Sequence, residues 1–533
     1  MTKRQIWLVL LGLMSGMFLS ALDQSVVGSA MRTIADDLKG LDLQAWVTTA
    51  YLITSTISTP IYGKLGDIFG HRRLFIISIS VFIAGSIGAG FADSMWSLAA
   101  WRAFQGIGAG GLFALALTIL ADLIPPRERA RYQGMFLAVF GTSSVLGPLV
   151  GGLFAGAKEI LWTDGWRWVF LLNIPIGIIA LIMVTMFLHV PHNAKKTRID
   201  WWGAVTIIIG VVPLLIVAEQ GRDWGWDSAN SIAMYVIGGV GIVGFVIAEK
   251  LMGSDALIPL ALFKNSTFTM SNILGVIVGL GMFGGMMTIP LVLQIVYGAD
   301  PTEAGWLMLP MVFGMMGASI ISGQLTSRTG KYKYFLIGGT AFMTGGYLYL
   351  GNLTYHWEIW QISIGMVAIG LGLGQLMQTM TIAAQNAVDV HNIGVATSST
   401  TFFRQMGGSL GVAIFISMLF NALSDKGSWI GEQIKAAIMK DPGLLSLKQN
   451  AAFKPGSDLN NMISSDSSFL KTASPELAHP IQDAFAQSAV VVFHSATWVL
   501  AAAFVLSFFV KEVELRSKSG MSQRAEQAAS SMH

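Results

Sequence analysis

The sequence predicts an all-α polytopic membrane protein with fourteen transmembrane helices and both termini in the cytoplasm. Three observations predict it. Of 533 residues, 53% are hydrophobic and only 12% are charged, whereas soluble domains carry about 25% charged residues. Mean hydropathy is +0.62. Apolar stretches of about 20 residues, the length a helix needs to cross a bilayer, recur along the whole chain. The composition excludes a soluble enzyme, a nucleic-acid binder and a disordered chain, and a net charge of +3 is too small to attract a polyanion. With no Cys there is no disulfide framework, thiolate metal site or cysteine nucleophile.

In chain order the apolar stretches lie at 6–31, 44–63, 74–92, 97–121, 132–155, 167–189, 199–219 and 229–249, then at 269–293, 304–325, 334–352, 357–385, 397–420 and 486–510. Lys3 and Arg4 before the first stretch resemble the start of a signal peptide. That run is about 25 residues long, however, and its removal would invert every later loop. Orientation follows from Lys and Arg in short loops. With the N-terminus inside, the inner segments hold Lys3, Arg4, Lys64, Arg72, Arg73, Arg127, Arg129, Arg131, Lys195, Lys196, Arg198, Lys250, Lys264, Arg328, Lys331 and Lys333. The short outer loops hold only Lys39, Lys158 and Arg222.

The loop after the second span, Gly63 to Arg73, is answered 260 residues later by Gly323 to Lys333. Gly147-Pro148-Leu149-Val150-Gly151 is answered at the same spacing by Gly407-Gly408-Ser409-Leu410-Gly411. The economical reading is a six-helix bundle at 1–190, two inserted linker helices at 191–262, and a second six-helix bundle at 263–533 that carries a long outer loop at 421–485. Parallel six-helix halves around a midplane site describe a secondary transporter.

Several segments carry a family resemblance: Ala21–Val27, Trp46–Leu52, Ser58–Asp67, Arg102–Gly108, Trp166–Pro175 and Phe402–Gly408. On these, over residues 1–420 and the last helix, the sequence resembles the major facilitator superfamily, and within it the 14-helix drug:proton antiporters related to EmrB and QacA. Three positions depart from the family pattern: Gly28 stands for the usual Asn, Arg32 for the usual Pro, and His71 for the usual Arg. With His71 there, Arg72 is the candidate for the family's contact with Asp67.

Asp23 is the one carboxylate well inside a span, about 13 Å from the outer end of the first helix at 1.5 Å per residue. A buried lone carboxylate is able to bind and release a proton near neutral pH, and an intramembrane ionisable group is a functional candidate by default. The alternatives are a fixed ion pair or a packing hydrogen bond. Arg102 lies at a compatible depth in the fourth span, and the resemblance implies a proton-coupling role for it; the bland reading is snorkelling to the surface. Arg404 lies about 10 Å from the inner end of its helix, placed either for an inner gating contact or for snorkelling.

The loop residues Gly63, Asp67, Gly70, His71, Arg72 and Arg73 are read as a latch between the halves, with Asp67 facing the N-terminus of a second-half helix or an Arg and with Asp122 as the second acid. Ser143 and Gly147, Pro148, Gly151 and Gly152 resemble the family's antiporter motif; physics alone gives a kinked, closely packed helix. For substrate, Met308, Met311 and Met315 share a helical face, as do Gln375, Gln378 and Gln385, and Met282, Met286 and Gln294 add to them. Flexible Met suits a promiscuous apolar surface, though such a stripe is commonly ordinary packing.

Two Gly-rich runs beginning at Gly106 and Gly279 fit a dinucleotide pattern but lie inside apolar spans. There is no P-loop, so ATP is not expected to drive the chain. His189 and His192 form a weak metal pair, and none is expected. Ile430, Ile434 and Ile438 in the outer loop recur at helical spacing and suggest a short amphipathic helix.

The leading expectation is a monomeric, proton-driven exporter of hydrophobic or amphipathic drug-like compounds in a bacterial inner membrane, without cofactor, ATP or nucleic-acid partner, and surrounded by lipid. Export of an endogenous lipid or envelope precursor is the second reading. A membrane-embedded enzyme or sensor is the third, and the sequence offers no convergent acid, base or metal set for it.

Overall fold

The computed structural model describes residues 3–40, 43–188, 198–299, 301–446, 453, 470, 473–516, 518–523 and 526. Seventeen α-helices occur among them. The first group comprises α1 (Lys3–Asp37), α2 (Gln44–Phe69), α3 (His71–Gly90), α4 (Met95–Leu123), α5 (Pro126–Gly156), α6 (Trp168–Leu171) and α7 (Asn173–Phe187). Then come α8 (Trp201–Trp224) and α9 (Ala229–Met252). The second group comprises α10 (Ser266–Ile295), α11 (Pro301–Leu307), α12 (Leu309–Thr329), α13 (Lys333–Leu350), α14 (Ile359–Asn386), α15 (Ile393–Ser424), α16 (Gly427–Lys440) and α17 (Pro475–Ser507).

Local chemistry explains the helix boundaries. Gly70, at φ 97°, makes the turn between α2 and α3, and its N–H donates to Gly66 O at 2.9 Å. Ser94 and Asn265 cap α4 and α10 by accepting from backbone N–H groups in the first turn. Pro126 starts α5, where its missing N–H costs nothing. Asp200 caps α8 through Gly203 N and also accepts from Leu257 N, tying the connector after α9 to the start of α8.

Twelve helical segments among the described residues are long and apolar enough to cross a membrane, which makes this a multi-pass membrane protein. Two positions read as spans, 44–63 and 334–352, are occupied by α2 and α13. α2 is interrupted by Thr, Ser, Lys64 and Asp67, and α13 is only 18 residues long. Two other expected spans are broken: 167–189 begins as a 3-10 turn and α6 before α7, and 304–325 divides at Met308 between α11 and α12. The antiparallel hairpin Glu159–Ile160 with Thr163–Asp164 leads into the first of these.

Helix pairings in the first group recur in the second: α1 with α5 and α10 with α15; α2 with α4 and α12 with α14; α3 with α4 and α13 with α14; α3 with α7 and α13 with α17. Each group buries its own apolar core, around Leu112, Leu115 and Phe75 in the first and Leu293, Met366 and Phe485 in the second. A separate cluster packs Ile207, Val211 and Leu215 of α8 over Ile53 and Ile57 of α2 and Phe402 of α15. α16 forms at the position of the isoleucine repeat and docks by Ile430 and Ile434 onto the second core, beside α17. Most of the remaining loop to 472 lies outside the described residues, as do His189 and His192.

Candidate transport site

The two groups of helices meet along α2–α15 and α5–α12, and the hydrogen bonds that join them gather at one end, the end rich in Lys and Arg. Asp67, in the last turn of α2, accepts from the N–H groups of Gly394 (3.1 Å) and Val395 (2.9 Å) at the start of α15. A carboxylate there satisfies orphan donors and meets the positive end of the helix. Arg127 donates to Ser327 O (2.9 Å) and Arg328 O (2.8 Å), and Arg129 donates to Gln385 Oε1 at 2.5 Å. Gly63 lets the backbones close up, since a Cβ on it would collide with Ser398 and the Gly394 carbonyl.

His71 sets one ring nitrogen against each of two carboxylates: Nε2 lies 3.0 Å from Asp67 and Nδ1 lies 2.6 Å from Asp122. All three side chains are buried. Arg72 does not take the contact with Asp67. It turns along α3 and donates to Thr185 O at 2.7 Å, because at the second position of α3 it is rotated about 100° from His71. Arg73 is exposed.

Toward the other end the halves part around a cavity of about 250 Å³. Its walls are Ser25 and Ser29 of α1, Phe140, Ser144 and Pro148 of α5, Met286, Pro290 and Gln294 of α10, and Met308, Met311 and Met315 at the α11–α12 break. Four of the Met and Gln positions read from sequence lie elsewhere. Met282, one turn below Met286, is packed in the second core under Tyr347. Gln375 faces Gly338 of α13, and Gln385 serves Arg129 and Thr397 in the seal. Gln375 and Gln378 stand only about 60° apart around α14, but different helices lie opposite them, α13 at Gln375 and α12 at Gln378. Gln378 bonds Ser319 O at 2.9 Å and Ser322 Oγ at 2.6 Å, at the edge of a smaller chamber below the main cavity.

Asp23 does not face the cavity. It is 1% exposed and points into the first bundle, where Arg102 Nη1 donates to it at 2.5 Å, Asn173 Nδ2 at 2.7 Å and Gln105 Nε2 at 3.0 Å. Gln105 and Asn173 also share Ser86 of α3. Arg102, equally buried, rests over the Tyr51 ring at 4.0 Å, and Tyr51 is in turn hydrogen-bonded with Ser20. Arg102 therefore does not snorkel. Gln105, Asn173 and Tyr51 all lie within the segments that carry the family resemblance, but of this cluster the sequence reading picks out only Asp23 and Arg102.

In α5, Gly147 and Gly151 pack against α1 within the same bundle: a Cβ on Gly147 would meet Ser25, and one on Gly151 would meet Ser29 and Val26 O. Pro148 and Gly152 look the other way, toward Gly305 and Thr302. Gly147→Leu is expected to force α1 off α5 and to lower stability by about 1–3 kcal/mol, the usual range for overpacking. A fall in apparent melting temperature in detergent would register it. Gly156→Leu, where no atom lies within 4 Å, is the silent control.

Arg404 is buried at 4% exposure and reaches neither surface. It lines the smaller chamber, of about 20 Å³, with Gln133 and Phe140 of α5, Met377, Gln378 and Thr381 of α14, Met17 of α1 and Phe113 of α4.

Residues 13–412 match the sequence profile of the Major Facilitator Superfamily. The chain is 35% identical to the multidrug transporter protein MdtP of Bacillus subtilis over 98% of its own length and 96% of that protein. It is also 35% identical to multidrug resistance protein 3 of the same organism, over 78% and 80% of the two chains. The fold is similar to that of the proton:xylose symporter XylE, with a TM-score of 0.58 at 14% identity over 99% of this chain and 100% of that one. It is likewise similar to the human organic anion transporter MFSD10, with a TM-score of 0.58 at 11% identity over 92% and 99%.

Proposed function

The chain belongs to the major facilitator superfamily and is a transporter, not an enzyme, and from that premise we propose that it exports hydrophobic or amphipathic compounds from the bacterial cytoplasm or inner leaflet in exchange for protons. The two Bacillus relatives bear multidrug names, and a Met-lined cavity is the kind of surface that accepts varied apolar shapes. The observation that carries the reading is the buried Asp23–Arg102 pair, held inside the bundle that forms one wall of the cavity.

In this reading the basic end is cytoplasmic, both termini lie inside, and α2 and α13 complete fourteen spans as six, two and six. Ionised Asp23 holds Arg102 and fixes α1 against α4. A proton on Asp23 releases that hold, and α1, which carries Ser25 and Ser29 on its cavity side and packs through Gly147 and Gly151 onto α5, moves with the change. The sealed basic end, with the cavity above it, is then the state open toward the outside. Proton binding from outside and substrate binding from inside alternate on the same bundle, which yields exchange without ATP or cofactor.

The test uses inside-out membrane vesicles with an acid interior, reported by a quenched pH dye. Adding lipophilic cations, neutral antibiotics or amphipathic acids is expected to restore fluorescence in vesicles that contain the transporter and not in empty ones. Silence toward every compound would refute proton-coupled drug export.

A further inference from the structure

The span-buried Arg404 has a feature that the exchange cycle does not use. Among the described residues it makes no ion pair, and its Nη1 atom, shielded from solvent, has no hydrogen-bond partner. Across the chamber both amide atoms of buried Gln133 are likewise without partners. The acid nearest in kind, Asp23, is committed to Arg102, Gln105 and Asn173 on the other side of α1. A cation withdrawn from water without an acid is costly, and an unpartnered buried polar group calls for an explanation. The rest of the chamber is apolar: Met17, Phe113, Leu117, Phe136, Leu137, Phe140 and Met377. Phe140 also lines the main cavity, so the two spaces are neighbours in the path between the halves.

At about 20 Å³ the chamber now has room for a water molecule and no more. It lies one to two helical turns above the seal formed by Arg129, Gln385 and the start of α15, so opening the basic end enlarges it first.

We propose that Arg404 and Gln133 form a subsite for the oxyanion head group of a soluble amphipathic acid, a carboxylate on an apolar body, when the transporter opens at its basic end. The guanidinium fork matches a carboxylate with two parallel hydrogen bonds. Gln133 supplies one further donor, and the aromatic and Met side chains hold the body of the molecule. This inference rests on the export reading and names a substrate class for it: lipophilic acids and zwitterions, not cations alone.

The experiment uses the full-length protein in phosphatidylcholine nanodiscs and three dansyl probes of one scaffold: dansyl-phenylalanine, its methyl ester, and an analogue ending in trimethylammonium. Fluorescence titration is expected to show the carboxylate binding about ten- to a hundredfold tighter than the ester, the range for a hydrogen-bonded charge. Arg404→Gln is expected to erase that preference while leaving ester affinity within about twofold. Arg404→Lys, which keeps the charge but loses the fork, is expected to retain part of it and guards against a misfolded Gln variant. Equal binding of acid and ester by the wild type, or an undiminished preference in Arg404→Gln, would overturn the proposal. So would displacement of the acid by phosphatidylglycerol added to the nanodiscs, which would give the subsite to a lipid head group. Because these are binding measurements, they stand apart from vesicle transport: an acid that binds through Arg404 but is never exported refutes export and not the subsite.

Discussion

Asp23→Asn is expected to abolish proton-coupled export, lowering pH-gradient-driven efflux by about a hundredfold or more, because no other carboxylate in that cluster can take the proton. The substitution keeps the shape of the side chain, so the hydrogen bond from Arg102 to an oxygen at this position survives. What is lost is the charge, and Arg102 remains buried with Gln105 Oε1 at 2.6 Å and the Tyr51 ring as its company. Leaving one member of a buried pair uncompensated costs about 3 kcal/mol, so the variant should also melt at a lower temperature. Substrate binding should change less than about threefold, since the cavity face of α1 is Ser25 and Ser29, roughly 200° around the helix from Asp23. Efflux assayed in vesicles beside equilibrium binding of the same compound separates the two. A variant that exports at the wild-type rate while discharging the gradient would remove Asp23 from the coupling mechanism.

The second large effect is expected at His71. His71→Leu deprives Asp67 and Asp122 of the ring that stands between them, leaving two buried carboxylates on facing helices with an apolar side chain in the middle. The expected loss is about 3 kcal/mol in the state whose basic end is closed, which shifts the transporter toward the opposite opening. His71→Arg supplies a fork of donors to the same two acids and should retain export. Cross-linking or labelling of a cysteine placed at Ser398, which is buried against Gly63 in the closed end, reads the opening directly. It should become accessible in His71→Leu and stay protected in the wild type and in His71→Arg. Equal protection in all three would show that the His71 cluster does not hold the seal.

The all-helical membrane fold is legible because membrane helices announce themselves by length and apolarity, and its internal repeat because the Gly–Leu–Gly loop recurs 260 residues on. α2 and α13 illustrate the limit. Their Thr, Ser and Gly residues suit helix-to-helix packing, which composition cannot tell from a weak span. Asp23 was legible as a lone acid in an apolar run, and Arg102 by its depth. Their supporting ring was not: Gln105, Asn173, Ser86 and Tyr51 come from four different helices, and an amide within a span has many uses. Met308, Met311 and Met315 line one cavity together, because spacings of three and four residues hold a side within a short helix. The same rule fails for Met282, which shares α10 with cavity residues but sits at a depth where the neighbouring helix, not open space, lies opposite, and for Gln385, whose helix α14 contributes no wall to the main cavity. No spacing rule could have found Gln133 on the same chamber as Arg404, since that meeting belongs to the packing of α5 against α14.

The position of α8 gives the protein a front and a back in the plane of the membrane. Of the two seams between the halves, the one along α2 and α15 lies beneath Ile207, Val211 and Leu215. The one along α5 and α12 carries no such cover among the described residues. An oily molecule drifting through the surrounding lipid therefore meets a shuttered wall on one flank and an uncovered joint on the other. Under the export reading, entry from the lipid would depend on approach direction, and neighbours crowded against the α5–α12 flank would obstruct it while those against α8 would not.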